Sequence, residues 1–323
     1  MKKKKKVAAA ALLGAAAAAL GGVYYGYWEA FKADPKRTDD IMAMPGSELY
    51  IPYREASAKN IDRLMAEPFE RVSLVSHDGL RLRGRYYEGQ SGQPLFLFFH
   101  GYRSTAERDG SGGFQLCKKH GWNVLQVDQR GHGESEGKTV TFGIRERYDC
   151  LDWVNWAVRR FGEETPIFLV GVSMGASTVL MASGLDLPKQ MKGIWADCGF
   201  SSTEEVLRHT IRMRSMPEGP AFLAARLGGK LFGSVDLSEA EKKEITSAPD
   251  RYRLTWSFKT TTGLERTHSY YFLQTNKDYI TINGDGGFYV ISSTIKKAAE
   301  DAIKVYNGQK ITADSPYTTI DQK

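Results

Sequence analysis

An α/β fold with a mostly parallel central sheet is the predicted fold class, and three observations support it. At 323 residues, with 41% hydrophobic and 25% charged residues, the chain suits one large domain with an appendage. Short apolar runs alternate with helix-like segments, which is typical of a parallel sheet covered on both faces. A serine stands between two glycines in a predicted strand-to-helix turn. Strands are predicted at 71–76, 81–87, 95–99, 123–127, 167–170 and 192–196, and helices at 113–120, 148–161 and 174–185.

Residues 1–28 are predicted to be an N-terminal membrane anchor or a signal segment. Residues 7–28 carry no charge, and at about 1.5 Å per residue these 22 residues would just span a hydrocarbon core of roughly 30 Å. The lysines at 2–6 favour the cytoplasm, which predicts a single-pass protein of the cell membrane with the remaining chain outside. Cleavage at one of the small residues, followed by secretion, is the alternative. Aromatic residues stand where an interfacial belt belongs, namely Tyr24, Tyr25, Tyr27 and Trp28.

The composition argues against two classes of function. The formal charge is +6, and the five lysines at 2–6 leave only +1 (6 − 5) for all other residues. Without a basic face, nucleic-acid binding is not predicted. Cys117, Cys150 and Cys198 are far apart and form no Cys-x-x-Cys pair, so neither a disulfide framework nor a zinc site is predicted.

Residues 29–70 are polar and are predicted to be a linker with a lead-in helix. The segment 54–65 places Ile61, Leu64 and Met65 on one helical side. Beyond it, His77-Asp78-Gly79 separates the first two strands and predicts the turn of a β-hairpin.

Two glycine-containing turns follow the next apolar strands. His100-Gly101-Tyr102-Arg103 follows the strand at 95–99, and its glycine lets the backbone come close to a ligand. His100 is expected to hydrogen-bond this loop. Residues 128–135 follow the strand at 123–127, but Glu136 stands where a dinucleotide-binding loop requires glycine. A turn held by Asp128 and Arg130 is predicted there instead.

Gly171-Val172-Ser173-Met174-Gly175 is the most informative motif in the chain. It follows the apolar run 166–170 and precedes a helix, so Ser173 is predicted to occupy a sharp, strained turn that exposes its hydroxyl. That geometry suits a nucleophile. In a hydrolase, the backbone amides of Tyr102 and Met174 would bind the oxyanion formed when the serine attacks a carbonyl.

Asp197 ends the strand at 192–196, on the edge where open α/β sheets assemble their sites. Two roles are open for it. Its carboxylate either orients a catalytic histidine or caps a helix that begins near Ser201.

In this order, the motifs resemble bacterial membrane-anchored members of the α/β-hydrolase superfamily, near the serine-peptidase and esterase-like branch. The resemblance covers residues of about 24–240. It implies a nucleophilic Ser173, oxyanion-binding amides at Tyr102 and Met174, and a helical lid at 201–233. The matching segments are Ser76-His77-Asp78-Gly79-Leu80, His100-Gly101-Tyr102, Asp128-Gln129-Arg130-Gly131-His132-Gly133-Glu134-Ser135, Gly171-Val172-Ser173-Met174-Gly175-Ala176 and Ala196-Asp197-Cys198-Gly199-Phe200.

The C-terminal third departs from this family. The hydrolase core is predicted at 71–235, and the region 236–323 is unrecognised and replaces the usual end of the sheet. Family members carry motifs there that supply an aspartate and a histidine, and neither motif occurs in this chain. An alternating, Thr-rich pattern instead predicts an antiparallel meander with strands at 253–259, 267–274, 278–283 and 288–292 and a helix at 294–306.

A serine nucleophile needs a base within hydrogen-bond reach. Beyond Ser173 the histidines are His209, in the expected lid, and His268. His268 is the candidate base, and a polar residue on a strand face is the alternative. Asp197 is the candidate acid, whereas Asp250 and Asp285 fit the chain order without the family's local sequence.

The sequence favours an exported, membrane-tethered serine hydrolase that cleaves an ester or amide bond of a small-molecule ester or peptide through an acyl-enzyme. No cofactor is required for this chemistry. Two other interpretations stay open. The chain is either a hydrolase-like scaffold that binds a ligand at the cell surface without an acid and a base, or a product of fusion or frame change near residues 234–250.

Overall fold

The computed structural model describes residues 2–33, 41–42, 48–200 and 202–237, together with four strands that lie between residues 251 and 290. The chain separates into two compact units, Met1–Glu241 and Lys242–Lys323. The first unit contains the predicted α/β core, and the described part of the second is an antiparallel sheet.

Six strands form the central sheet of the first unit: β1 (Glu70–Val75), β2 (Arg81–Tyr87), β3 (Leu95–Phe99), β4 (Asn123–Asp128), β5 (Ile167–Val172) and β6 (Met191–Asp197). Their spatial order is β1-β2-β4-β3-β5-β6. The pairs β3–β4, β3–β5 and β5–β6 are parallel, whereas β2 is antiparallel to both of its neighbours. The predicted mostly parallel sheet is confirmed.

The predicted hairpin between β1 and β2 is also confirmed. The Ser76 amide donates to the Leu80 carbonyl at 2.8 Å, which closes the turn. Gly79 has φ +89°, a left-handed conformation that glycine adopts without steric cost.

Four helices accompany the sheet: α2 (Arg54–Met65), α3 (Ala106–Lys119), α4 (Glu146–Phe161) and α5 (Met174–Ala182). The core between α4 and the sheet is fully apolar around Trp153, which is 1% exposed and packs with Leu97, Leu125 and Leu169. Burial of this apolar surface provides the main stabilising free energy of the domain.

Helix α3 begins seven residues earlier than the sequence pattern predicts. Thr105 caps it by accepting a hydrogen bond from the Arg108 amide at 3.2 Å. The early turns contain several glycines, which weaken a helix prediction. These glycines are needed because the helix lies very close to the sheet, and a Cβ at Gly113 would stand 2.4 Å from the Phe98 ring.

Two further helices cover the start of α5. They are α6 (Thr203–Met213) and α7 (Glu218–Gly228), and α7 continues into a π-helical turn at Gly229–Gly233. Ser202 caps α6 by accepting from the Glu205 amide at 3.3 Å. The buried side chains of Leu207 and Phe222 pack in one cluster with Met174, the first residue of α5.

The N-terminal helix α1 (Lys2–Ala30) is continuous with the folded domain. Its segment Ala10–Ala30 is long and apolar enough to cross a membrane, judged by length and composition, with a mean hydropathy of 1.3. The sequence pattern assigned residues 29–70 to a polar linker. Instead, α1 continues to Ala30, and Tyr27 and Phe31 are only 7% and 0% exposed within the cluster around Met174.

Helices α1 and α7 approach each other at two glycines. A Cβ at Gly26 would lie 2.6 Å from the Ala224 carbonyl carbon, and a Cβ at Gly228 would lie 2.2 Å from the Val23 carbonyl oxygen. Earlier residues of α1 therefore meet later residues of α7, so the two helices run antiparallel. Small residues allow this backbone-to-backbone packing.

The second unit contains a four-stranded antiparallel sheet in the order β10-β9-β8-β7. The predicted meander is confirmed in its strands, whereas the helix predicted at 294–306 lies outside the described residues. His268 is on β8, opposite Trp256 of β7. The strands are β7 (Arg251–Lys259), β8 (Glu265–Leu273), β9 (Tyr279–Ile282) and β10 (Tyr289–Val290).

Replacement of Gly228 by alanine tests the packing of α1 on α7. The new Cβ collides with the Val23 carbonyl, so Gly228→Ala should lower the free energy of unfolding by about 1–3 kcal/mol. Gly219→Ala is the matched control, because Gly219 lies in the same helix with open space around it, and it should be neutral or stabilising by up to about 1 kcal/mol. Urea unfolding of the full chain in detergent micelles measures both. Equal effects of the two substitutions would contradict the packing.

Candidate active site

Ser173 lies in a strained turn between β5 and α5. Its backbone angles are φ +53° and ψ −116°, outside the regions that side-chain-bearing residues normally adopt. Such a conformation costs on the order of 1–3 kcal/mol and persists only where the surroundings enforce it. The Ser173 amide donates to the Asp197 carbonyl at 2.8 Å, which ties the turn to the end of β6.

The glycines on either side of Ser173 are required by close backbone approach. A Cβ at Gly175 would lie 2.0 Å from the Phe99 carbonyl oxygen, and a Cβ at Gly171 would lie 2.3 Å from the Gly175 carbonyl oxygen. Any larger residue would push β3 and the turn apart. Ser173 itself stays partly exposed at the carboxyl end of β5.

The loop after β3 passes directly beside Ser173. A Cβ at Gly101 would stand 3.3 Å from the Ser173 Cβ. On the other side of the serine, Met174 is the first residue of α5, so its amide has no acceptor within the helix. The two sequence-predicted sources of oxyanion donors, this loop and the start of α5, therefore flank Ser173.

Asp109 fixes the loop and was not found by sequence reasoning. Its carboxylate accepts a hydrogen bond from the Gly101 amide at 2.7 Å. The signal was an acidic residue in the first turn of a helix, where carboxylates are favoured. It was missed because the helix was predicted to begin only at residue 113.

Two buried histidines, His100 and His132, hold the loop after β3 through hydrogen bonds. His100 accepts from the Gln129 amide through Nε2 at 3.1 Å, and its Nδ1 lies 2.8 Å from the Gly101 carbonyl. His132 accepts from the Arg103 amide through Nε2 at 3.1 Å. These contacts fix a neutral ring with the proton on Nδ1 and leave neither ring available to Ser173. His100 thus hydrogen-bonds the loop, as expected.

The electrostatic state of His132 follows from its burial. It is 3% exposed, and burial, followed by the neighbouring His100, lowers the pKa of His132 to about 3. A neutral ring at physiological pH is what its hydrogen bonds require, since the Nε2 atom must accept.

The end of α1 is bonded to the same loop. The Tyr102 hydroxyl donates to the Ala30 carbonyl at 2.9 Å, and the Arg103 guanidinium donates to the Glu29 carbonyl at 2.5 Å. The Glu29 carboxylate also pairs with Arg214 at the end of α6. Sequence reasoning missed Glu29 because it assigned this residue to a linker. The available signal was a charged residue directly after a long apolar segment.

The turn after β4 is held by ionic contacts, as predicted. Asp128 accepts from the Glu134 amide at 3.0 Å. Arg130 donates to both Asp149 oxygens at 2.6 Å and to Asp78 at 2.9 Å. The turn is therefore structural and contains no phosphate-binding glycine loop.

One cluster in the described part of the chain has ligand-type atoms close enough for a metal ion. His77, Asp149 and Asp152 place such atoms within 4.8 Å of one another. Both carboxylate oxygens of Asp149 are already bonded to Arg130, and His77 Nδ1 is 3.0 Å from an oxygen of Asp152. These bonds account for the cluster without an ion.

Main-chain pairing between β5 and β6 places Asp197 next to the turn that contains Ser173. Val172 and Asp197 are paired across β5 and β6, and the Asp197 side chain is exposed. Its carboxylate makes no hydrogen bond to a histidine among the described residues. Cys198 follows with φ +48°, and burial raises the pKa of its thiol.

The catalytic base stays a prediction. His209 is exposed on α6, and His268 belongs to the second unit. Within the described residues of the first unit, no histidine bonds to Ser173, and β6 is the last strand of the six-stranded sheet. Trp195 on this edge strand is 65% exposed.

Comparison with known proteins adds the following findings. Residues 90–255, just over half of the chain, match the family described as Serine aminopeptidase, S33. The thiohydrolase aneE of Aspergillus aculeatus is 28% identical over 167 residues, which are 50% of this chain and 52% of that protein. The monoglyceride lipase of Rattus norvegicus is 33% identical over 125 residues, 38% of this chain and 40% of that protein. The chain thus spans about half or less of these relatives.

A solved esterase structure from Pyrococcus furiosus is also similar. It has a TM-score of 0.43 and 24% identity, and the match covers 55% of this chain and 67% of that one.

The buried His132 makes stability depend on pH. Below its ordinary pKa of 6.5 the unfolded chain takes up a proton, whereas the folded chain does not until about pH 3. The unfolded state then binds more protons, so this contribution to stability is present above pH 6.5 and is lost as the pH falls toward 3, by about 2 kcal/mol between pH 7 and pH 5. His132→Gln should remove this slope, and the exposed control His120→Gln should keep it, in urea unfolding at each pH. Identical slopes in both variants would refute the assignment.

Proposed function

Because the chain belongs to the Serine aminopeptidase S33 family of the α/β-hydrolase superfamily, we propose that it is a serine hydrolase that forms an acyl-enzyme on Ser173. One observation carries the proposal. Ser173 is held in a strained, partly exposed turn between a sheet-edge loop and the first amide of a helix. Strain of this kind at a strand-to-helix turn is typical of a positioned nucleophile.

In the proposed reaction, the Ser173 hydroxyl attacks the carbonyl carbon of the substrate while a base takes its proton. The carbonyl oxygen becomes an oxyanion that accepts hydrogen bonds from the amides of Tyr102 and Met174. The tetrahedral intermediate collapses, and the leaving group departs with the proton from the base. Water then attacks the acyl-enzyme by the same route and releases the carboxylic acid product and free Ser173.

His268 is assigned as the base and Asp197 as the acid. Their order after Ser173, aspartate then histidine, matches the order of the superfamily. The Ser173 amide donates a hydrogen bond to the Asp197 carbonyl. This contact supports the proposal that the Asp197 carboxylate takes part at the carboxyl end of the parallel strands.

The proposed substrate is a carboxylic ester or thioester of a small molecule, with amide bonds as the second choice. The support is the similarity to two relatives, a monoglyceride lipase and a thiohydrolase. Fold alone would not choose among these bonds.

The proposed location is the cell membrane, with α1 as an uncleaved anchor. The support is its continuous helix and its apolar segment Ala10–Ala30. The burial of Tyr27 and Phe31 also makes the end of this helix part of the folded domain. Secretion after cleavage is the alternative.

A second function, binding without catalysis, is favoured by one observation. In the described part of the first unit the sheet ends at β6, and no histidine hydrogen-bonds to Ser173. A scaffold with this arrangement would hold ligands at the oxyanion site without turning them over, and a fused or frame-changed C-terminal part would have the same consequence.

Labelling with a fluorophosphonate probe separates the two functions. The probe reacts only with an activated serine, so the wild type should become labelled and Ser173→Ala should not. Ser183→Ala is the matched control, because Ser183 follows the last residue of the same helix and its hydroxyl donates to the Leu180 carbonyl, away from Ser173, and this variant should label fully. Absence of label in correctly folded wild type would favour the binding scaffold.

Substitution of His268 tests the proposed base. His268→Gln should lower kcat by about 10³-fold or more, and wild-type kcat/KM should show a limb near pH 6.5. His209→Gln, at an exposed histidine of α6, should retain activity. Because such residues act as a unit, adding Asp197→Asn to His268→Gln should cost little more. Full activity of His268→Gln on a chromogenic ester would remove His268 from the mechanism.

A further inference from the structure

We propose that the exposed side of α7 and the π-helical turn is a membrane-contact surface that enters the lipid interface beside α1. This inference rests on the tethered location in the proposed function. The surface, named here the leucine strip, consists of Leu223, Leu227, Leu231 and Phe232.

The leucine strip is a continuous apolar row on the outside of the domain. Its leucines are spaced four residues apart, which places them on one side of the helix. They are 55%, 40% and 63% exposed, and Phe232 is 45% exposed. Single exposed leucines are ordinary on soluble proteins, but a row of large apolar side chains indicates a contact surface.

The strip lies next to the residues of α1 that leave the predicted membrane span. The ring of Phe232 meets the ring of Tyr24 edge-on at 5.2 Å and lies 6.0 Å from that of Tyr27. The backbone of Val23 packs on Gly228. Since the helices run antiparallel, the end of the strip points toward the N-terminal, apolar part of α1.

The length of α1 brings the strip to the depth of the interface. Residues 7–22 precede the part packed on α7, and these 16 residues extend only about 24 Å, short of a hydrocarbon core of roughly 30 Å. The remaining length must come from residues 23–28, which are the residues packed against α7 and its π-helical turn. A full span therefore places the leucine strip at the boundary between the hydrocarbon core and the headgroups.

Charge supports a lipid surface as the occupant. Arg226 on α7 and Lys230 in the π-helical turn are exposed beside the strip, and no ion pair involves either among the described residues. Long basic side chains at the border of an apolar helical face reach lipid phosphates while their stems cover apolar surface. A second copy of the chain would gain nothing from this flanking positive charge.

Fluorescence quenching by lipids tests the proposal on the full chain, reconstituted in vesicles of phosphatidylethanolamine and phosphatidylglycerol. Leu227→Cys, in a Cys198→Ser background, is labelled with an environment-sensitive dye, since Cys117 and Cys150 are buried. Leu116→Cys is the matched control, because Leu116 on α3 is 44% exposed, close to the 40% of Leu227. Leu231→Cys provides a second site in the strip if Leu227→Cys folds poorly.

A dye at either strip position should emit at shorter wavelength, and its emission should fall strongly when the lipids carry a spin label near the glycerol backbone. A dye at position 116 should show neither change. Equal behaviour at both positions would overturn the proposal. A blue shift without lipid quenching, with cross-links between copies, would also overturn it and indicate a dimer. Fluorophosphonate labelling of the same vesicles separates the membrane proposal from the hydrolase proposal. Quenching of the dye without fluorophosphonate reaction at Ser173 refutes the hydrolase alone. Fluorophosphonate reaction without quenching refutes the membrane surface alone.

Discussion

The proposed chemistry depends on one steric constraint, the contact between the end of β3 and the turn after β5. The Phe99 carbonyl approaches Gly175 so closely that no side chain fits there, and this contact enforces the left-handed conformation of Ser173. The same contact brings Gly101 against the serine. The proposed nucleophile and the proposed oxyanion-binding loop are therefore positioned by packing of the sheet, and the stability of the domain core offsets the free-energy cost of the strain.

Helix α1 and the loop after β3 share a structural link. Tyr102 and Arg103 donate to the last carbonyls of α1, and Glu29 pairs with Arg214 of α6. Carbonyls at a helix C-terminus lack partners within the helix, so these bonds satisfy groups that otherwise need water. As a result, the end of α1, the end of α6 and the loop after β3 are linked to one another in the first unit.

Sequence reasoning predicted the features that local chemistry determines. Short apolar strands, the hairpin at Gly79 and the turn at Ser173 each have their own residue pattern. It failed where packing between distant segments determines the structure. The glycines of α3 weakened the helix prediction, although they allow the helix to lie close to Phe98. The burial of Phe31 depends on α7, which lies far away in the sequence. The base stays a proposal, because no local motif around His268 marks it as catalytic and His268 belongs to the second compact unit.

The most direct test of the account is an experimental structure of the full chain after reaction with a fluorophosphonate. The account predicts phosphorus bonded to Ser173 Oγ and a phosphonyl oxygen about 2.7–3.1 Å from the amide nitrogens of both Tyr102 and Met174. A phosphonyl oxygen that points away from these amides, or a Ser173 hydroxyl enclosed by packed side chains and left unmodified, would contradict it.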